Sequence, residues 1–448
     1  GDAGQSRARA AADAGGDGAR EHKINVLTLG CSKNTVDSER LLNQLKLNNF
    51  SISESPEDAD TVIINTCGFI ESAKKESIDT ILNAVALKNE GKLKEVMVVG
   101  CLSERYKDDL RKEIPEVDSY FGTEAYEAIL KELGGELKSE LIGERRLTTP
   151  AHTAYLKISE GCDHPCSFCA IPIMRGGHKS VPIEQLVQET ESLAAKGVKE
   201  LVIIAQDTTD YGKDIYGKRN IVELLAKLSK VEGIEWIRIM YAYPSHFPDE
   251  LINEIAANPK ICNYIDIPLQ HISDKVLKSM RRGVTSANTK TLVKKLREKI
   301  PGLTLRTTII VGYPNETEED FKELIKFVEE SKFDRLGVFT FSPEENTTSF
   351  PLGDPISAKE KLRRREVIME LQKEISFSNN LKFVGKKIKI IVESLEGQYY
   401  IGRSYRDAPE VDGEVLILAE GNKLDIGNFY DVEIYDNNEY DLFGKIIF

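Results

Sequence analysis

Three cysteines within eight residues, Cys162-Asp-His-Pro-Cys166-Ser-Phe-Cys169, constrain this chain more than anything else in it. The C-x₃-C-x₂-C spacing puts three thiolates on one loop and supplies no fourth. A closed structural metal site takes four ligands, whereas three thiolates on a 4Fe-4S cluster leave one iron open for chemistry. An open iron is what a radical enzyme needs to hold S-adenosylmethionine (SAM), so the loop reads as a catalytic centre. Zinc completed by His152 or His164 is the alternative, and no partner C-x₂-C pair supports it.

The segments around this loop alternate between strand and helix patterns. Residues 153–158, 201–205, 236–240, 264–267, 303–311 and 336–341 are apolar runs of strand length. Amphipathic stretches at 183–195, 221–228, 249–256, 287–299 and 318–330 separate them. Six such β-α units predict a partial (β/α)6 barrel rather than the closed eightfold form. The cluster loop directly follows the first strand. It therefore belongs at the C-terminal mouth, where these folds build active sites. Gly161 supplies the turn into the loop, and Phe168 is suited either to shielding a cluster or to plain core packing.

An earlier β-α series covers 24–29, 61–64 and 96–99, with helices at 37–47 and 72–87. It predicts a parallel α/β domain over 22–138, joined by a Gly-Gly and charge-rich linker to a core domain at 148–378. A long charged helix at 359–376 leaves the core. From 381 to 448, short alternating strands (387–392, 414–418 and 430–435) with Gly-containing turns predict a small antiparallel β-barrel of about five strands. Residues 1–20 hold no aliphatic side chain larger than Ala, so they read as a disordered extension. At 448 residues, two or three domains are expected.

Cys31, Cys67 and Cys101 each follow directly on a strand of the first series, 36 and 34 residues apart. Strand C-termini in a parallel sheet share one edge, so the three converge there. A lone cysteine in such a place is ordinarily a small buried hydrophobe. Three at equivalent steps imply a second open cluster. Cys262, alone before a strand, reads as a core thiol. An odd total of 7 cysteines argues against a secreted disulfide framework. With no apolar N-terminal stretch and no membrane-length run, the expected compartment is the cytoplasm.

Other polar residues fall at the predicted barrel mouth. Gln206 and Asp207 end the second strand, Tyr241 ends the third, and Gln270 and His271 follow the fourth. Arg306 lies in the fifth strand, which finishes at Gly312. Gln206, Asp207, Tyr241, Arg306 and Gly312 are the candidates for SAM contact. Arg306 reads equally as a partner for a neighbouring carboxylate, and His271 equally as a structural histidine.

Taken together, these residues resemble the methylthiotransferase branch of the radical-SAM superfamily. The resemblance runs from about residue 24 to the end. It rests on Cys31, Cys67 and Cys101, on Glu160-Gly-Cys-x₃-Cys-x₂-Cys169 followed by Ile-Pro-x₂-Arg-Gly176, and on a tail like a TRAM domain. It implies a transferase with two 4Fe-4S clusters and SAM as cofactors. Cys162, Cys166 and Cys169 would hold the cluster that cleaves SAM; Cys31, Cys67 and Cys101 would hold an auxiliary cluster carrying the sulfur. One SAM would methylate that sulfur. A second would yield a 5′-deoxyadenosyl radical that takes hydrogen from the substrate carbon. A flavodoxin or ferredoxin is the implied electron donor.

Two branches of that family differ in substrate: tRNA adenosine, or an aspartate of ribosomal small-subunit protein twelve. The whole chain carries a net charge of −13, and residues 381–448 hold 8 Lys and Arg against 13 Asp and Glu, a net of −5. A module gripping tRNA phosphates should be basic. An acidic one suits a basic ribosomal protein. Gly402-Arg-Ser-Tyr-Arg-Asp-Ala-Pro-Glu-Val-Asp-Gly413 and Tyr243-Pro-Ser-His-Phe247 resemble segments of the protein-modifying branch. Residues 407–413 alone read equally as a solvated loop. A non-catalytic iron–sulfur or zinc protein with an RNA-binding tail is a reading from another class, and it would show no SAM cleavage.

Overall fold

The computed structural model describes residues 21–141 and 143–447; the extension expected at 1–20 lies outside them. Nearest the N-terminus, β1 (Lys23–Thr28), β2 (Ser51–Ile52), β3 (Thr61–Thr66), β4 (Glu95–Gly100) and β5 (Ser119–Tyr120) form a parallel sheet in the order β2-β1-β3-β4-β5. The helices α1 (Ser32–Leu47), α2 (Glu71–Asn89) and α3 (Cys101–Glu113) follow β1, β3 and β4. All six residues of β3 are buried, as a central strand covered on both faces requires. The two-residue edge strands carry too little apolar pattern to be read from the sequence.

The core domain opens with β6 (Thr153–Lys157) and a small hairpin of β7 (Ser159–Glu160) and β8 (Lys179–Ser180). Then come β9 (Glu200–Ile204), β10 (Trp236–Ile239), β11 (Ile261–Asp266), β12 (Thr304–Val311) and β13 (Arg335–Thr340). Six of these form one parallel sheet in the order β13-β12-β11-β10-β9-β6. This is the expected partial barrel. Its convex face packs Leu156, Ile203, Ile237, Ile265 and Leu305 against helices. Its concave face packs Tyr155, Val202, Ile204, Met240, Cys262 and Tyr264 into a second core. Val36 of α1 enters that core from one side, and Ile391 and Ala408 of the tail enter it from the other. Cys262 is thus a buried core thiol, and burial pushes it up to about 11.

The helix Ala358–Leu381 leads to β14 (Lys387–Glu396), β15 (Tyr399–Ser404), β16 (Val415–Leu418), β17 (Phe429–Asn437) and β18 (Leu442–Ile446). They close into a barrel in the order β14-β15-β16-β18-β17. Four seams are antiparallel, as expected; the β16–β18 seam is parallel. Closure removes every free edge from this small domain.

This tail barrel caps the N-terminal end of the core barrel. Arg403 pairs with the fully buried Glu200 at the start of β9, and Glu200 also accepts from Arg238 Nε at 2.9 Å. Arg335 reaches Asp407 at 2.5 Å, and the Tyr264 hydroxyl donates to Asp412 at 2.6 Å. Residues 407 and 408 are buried. The segment that reads equally as a solvated loop thus divides: 407 and 408 plug the base of the barrel, whereas Glu410 and Val411 are exposed.

Candidate active site

The β7–β8 hairpin brackets the loop that carries Cys162, Cys166 and Cys169. Gly161 enters it at φ +73°, and a side chain there would run into the carbonyl oxygens of Gly176 and Gly177. The Cys162 N–H donates to Gly176 O at 3.1 Å, and the Cys169 N–H to Cys166 O at 3.2 Å. The Ile171 N–H points at Cys169 Sγ, 3.5 Å away. Cys166 Sγ receives Arg282 at 3.2 Å and lies 3.4 Å from the Tyr243 hydroxyl. Burial pushes the Cys162 and Cys169 thiols up to about 12. Such thiols stay protonated until a bound cation stabilises the thiolate.

Cys31, Cys67 and Cys101 converge as the strand-end argument predicts. Gly30 turns at φ +89°, and a Cβ there would lie 2.7 Å from Cys67 Cβ. Cys101 opens α3, and its Sγ is 3.9 Å from Asn34 Oδ1. Burial pushes Cys101 up to about 12 and raises Cys67. Cys101 also packs against Ala170 and Met174, which follow Cys169. The N-terminal cysteine set therefore lies next to the segment that follows the cysteine loop.

The spacing of the sulfurs tests which metal they suit. Tetrahedral zinc with Zn–S bonds of about 2.3 Å would draw its thiolates to within about 4 Å of one another. Among the described residues, no three cysteine sulfurs lie within 4.8 Å of each other. Three thiolates with no fourth ligand would leave one iron of a 4Fe-4S cluster open. The histidines proposed to complete a zinc site are otherwise engaged. His152 meets Glu393 at 3.2 Å near the barrel base. His164 stacks on Tyr243 with 3.7 Å between ring centroids and meets Asp207 at 2.6 Å.

The expected mouth residues divide. Asp207 is buried, bonded to His164 and to the Thr209 N–H and hydroxyl; it braces the cluster loop. Tyr241, at φ 60°, lies under the ammonium of Lys33, 3.1 Å from the ring centroid. Gln206 is half-buried at the end of β9. Arg306 is not among them: it pairs with Asp266 at 3.0 Å and Asp412 at 3.4 Å, on the side of the tail plug. Gly312 is packed away from the opening, where a Cβ would collide with Lys361. Its N–H donates to Glu316 Oε1 at 2.9 Å, in a buried group with His271 and Arg364. His271 is satisfied there as a structural histidine.

Several groups at the site carried no readable signal in the sequence. Arg175, inside the quoted Ile-Pro-x₂-Arg segment, crosses from the cluster loop to α1. It reaches Asn34 Oδ1 at 2.6 Å, Asp37 Oδ2 at 3.1 Å and Glu160 Oε1 at 2.9 Å. Lys157 adds 2.5 Å bonds to Asp37 and Glu160. Burial opposes the charge on Asp37, yet Lys157 and Arg175 hold it below the usual carboxylate range. This network clamps the N-terminal sheet over the barrel. Lys33 and Arg282 also escaped the reading, since only the fold shows what they face.

Residues 156–328 match the radical SAM superfamily, 23–122 the uncharacterized protein family UPF0004, and 384–447 the TRAM domain. Among solved structures, the fold resembles the radical SAM methyltransferase TsrM from Kitasatospora setae, with a TM-score of 0.52 at 14% identity, covering 74% of this chain and 77% of that one. The fold and the cysteine loop thus define a radical-SAM enzyme. Two curated relatives are each called ribosomal protein uS12 methylthiotransferase RimO. That of Christiangramia forsetii is 54% identical, over 95% of this chain and 94% of its own length. That of Cytophaga hutchinsonii is 53% identical, over 96% and 99%. At this identity over nearly its whole length, the chain belongs to the RimO family of radical-SAM methylthiotransferases. Its cofactors include SAM and an iron–sulfur cluster.

Proposed function

We propose that this protein adds a methylthio group to the β-carbon of an aspartate in ribosomal protein uS12, using SAM and two 4Fe-4S clusters. The observation that carries this reading is that one three-thiol set lies next to the segment that follows the other, with Cys101 packed against Ala170 and Met174 just beyond Cys169. Cys162, Cys166 and Cys169 would hold one cluster, and Cys31, Cys67 and Cys101 the other. When bound, these groups supply reductive SAM cleavage and the inserted sulfur. The chain's own residues do the rest. Arg175, Lys157, Asp37 and Glu160 fix the distance between the two sets. Arg282 and Tyr243 orient Cys166, and Phe168 with Met280, Tyr313 and Phe341 forms an apolar wall beside the loop.

The acidic tail favours a basic protein over tRNA as substrate. No helix among the described residues is long and apolar enough to cross a membrane. We assign the cytoplasm as the compartment and a flavodoxin or ferredoxin as the electron donor, on the family resemblance. The test is mass spectrometry after anaerobic turnover with SAM and reductant, with uS12 and unmodified tRNA offered together. A gain of about 46 Da on one aspartate of uS12, the mass of an inserted CH₂S unit, is the expected result. The same gain on adenosine would replace this substrate with tRNA.

A further inference from the structure

Lys33 is the most conspicuous charged group that the family chemistry leaves unused. It lies two residues after Cys31 in the first turn of α1 and is only 4% exposed. Among the described residues no carboxylate pairs with it and no hydrogen-bond acceptor meets its ammonium. Its one close neighbour is the face of the Tyr241 ring, 3.1 Å away. Lys157 pairs with Asp37 and Glu160, Arg238 with Glu200, and Arg335 with Asp407, while Arg406 in the tail rests on the Phe383 ring and Asn380. The Lys33 side chain lies over the Tyr241 ring while its ammonium keeps an edge in solvent, so the ammonium is free to meet an incoming anion.

Its position says which anion. Tyr241 ends β10, so the ammonium overlies the C-terminal mouth of the barrel, on the side where Cys31 comes down. One strand over, the Gln270 carboxamide oxygen is also buried without a partner, and Gln270 sits at φ 70°. A free ammonium and an unpaired buried carboxamide oxygen thus lie over neighbouring strand ends. A β-carbon that receives sulfur is bonded directly to its carboxylate carbon. The group that recognises that carboxylate must then lie beside the sulfur-carrying thiols, as Lys33 does.

We propose that Lys33 receives the side-chain carboxylate of the substrate aspartate and selects an acidic residue for methylthiolation, with Gln270 accepting a hydrogen bond from the same segment. This assignment rests on the protein-substrate reading above. It makes Lys33 a specificity residue on the N-terminal domain rather than part of the barrel's hold on SAM, which carries a carboxylate of its own.

The test uses the cluster-loaded enzyme and uS12, with the aspartate that wild type modifies kept or changed to Asn. Before reductant is added, fluorescence anisotropy in the presence of SAM should show wild type binding the Asp form at least about 30-fold more tightly than the Asn form, the scale for orphaning one partner of a buried charge pair. Lys33→Met should bind both forms alike, and Lys33→Arg should recover part of the preference. Iron content and substrate-free formation of 5′-deoxyadenosine are measured alongside, so that a change in binding is read only on variants that load iron and cleave SAM. Equal Asp preference in Lys33→Met and wild type would overturn the assignment. So would loss of substrate-free SAM cleavage in both variants, which would place Lys33 on the SAM carboxylate. If wild type leaves uS12 unmodified and does not distinguish the two forms, the substrate reading itself falls, and this assignment with it.

Discussion

The two ends of the core barrel use the same kinds of side chain in opposite ways. At the N-terminal end most buried charges are answered: Glu200 by Arg403 and Arg238, Asp407 by Arg335, and Asp412 by Tyr264 and Arg306, while Arg406 has only Asn380 and the Phe383 ring. At the C-terminal end, Lys33 has only an aromatic ring, Gln270 keeps an empty acceptor, and six thiols form no disulfides. A buried polar group left unpaired costs stability. Ion pairs hold both ends, through the tail plug at the base and the Arg175, Lys157, Asp37 and Glu160 network at the mouth, while the groups beside the thiols are left open. The contrast separates structure from chemistry within one sheet.

The strongest way to break this contrast is at the thiols. Cys166→Ala should abolish reductive SAM cleavage, whereas Cys67→Ala should retain measurable cleavage and lose all methylthiolation. Both are read by chromatography of 5′-deoxyadenosine and mass spectrometry of uS12. Equal, complete loss of cleavage in two folded variants would remove the division of labour between the sets.

At the sealed end, Glu200→Ala leaves Arg403 and Arg238 facing no carboxylate. Denaturant unfolding should show a loss of about 3–5 kcal/mol, the usual cost of breaking a buried pair. The folded fraction should still cleave SAM. The same residue sets an acid dependence. Burial would raise the pKa of Glu200, but Arg403 and Arg238 pull it down from 4.5 to about 2. A carboxylate depressed in the fold stabilises it fully above its unfolded value, and that contribution is lost as pH falls towards the folded value. The melting temperatures of wild type and Glu200→Gln should therefore differ most above pH 4.5 and converge as the pH approaches 2. A gap that stays constant across this window would show that Glu200 does not titrate as its partners imply.

A smaller effect is expected at Arg282, whose guanidinium donates to Cys166 Sγ at 3.2 Å. Donors to a cluster thiolate stabilise the reduced state and so raise its potential. Arg282→Gln should lower the potential found by redox titration and slow SAM cleavage by about 10–100-fold, the range for lost outer-shell partners. The smallest effect belongs to Arg306. Because it serves Asp266 and Asp412 at the plug, Arg306→Gln should leave the SAM KM unchanged and lower only the melting temperature. A raised KM would return Arg306 to the mouth, where strand position alone had put it.

That case shows where sequence reading stops. Alternation along β12 puts Arg306, Thr308 and Ile310 on one face, as their common partial exposure shows. How deep each lies in the barrel depends on what covers the two ends, and the tail plug covers the Arg306 end. Gly312 failed for a related reason: it does end the strand, but at φ +77° the chain turns under Lys361 rather than over the opening. Cys31, Cys67 and Cys101 were legible because strand ends of a parallel sheet must share an edge, so their convergence follows from local pattern and one topological rule.

The sequence by itself determined the long strands of the two parallel sheets, the two thiol sets and the acidic tail. Each of these is carried by residues close in the chain or repeated at a fixed step. Only the tertiary structure decided which buried charges are answered and which wait for a ligand. Glu200 and Arg403 are 203 residues apart and Glu160 and Arg175 only 15, and no local pattern distinguishes one kind of pair from the other. Electrostatic satisfaction is a property of neighbours in space, and for Lys33 the telling fact is the neighbour it lacks.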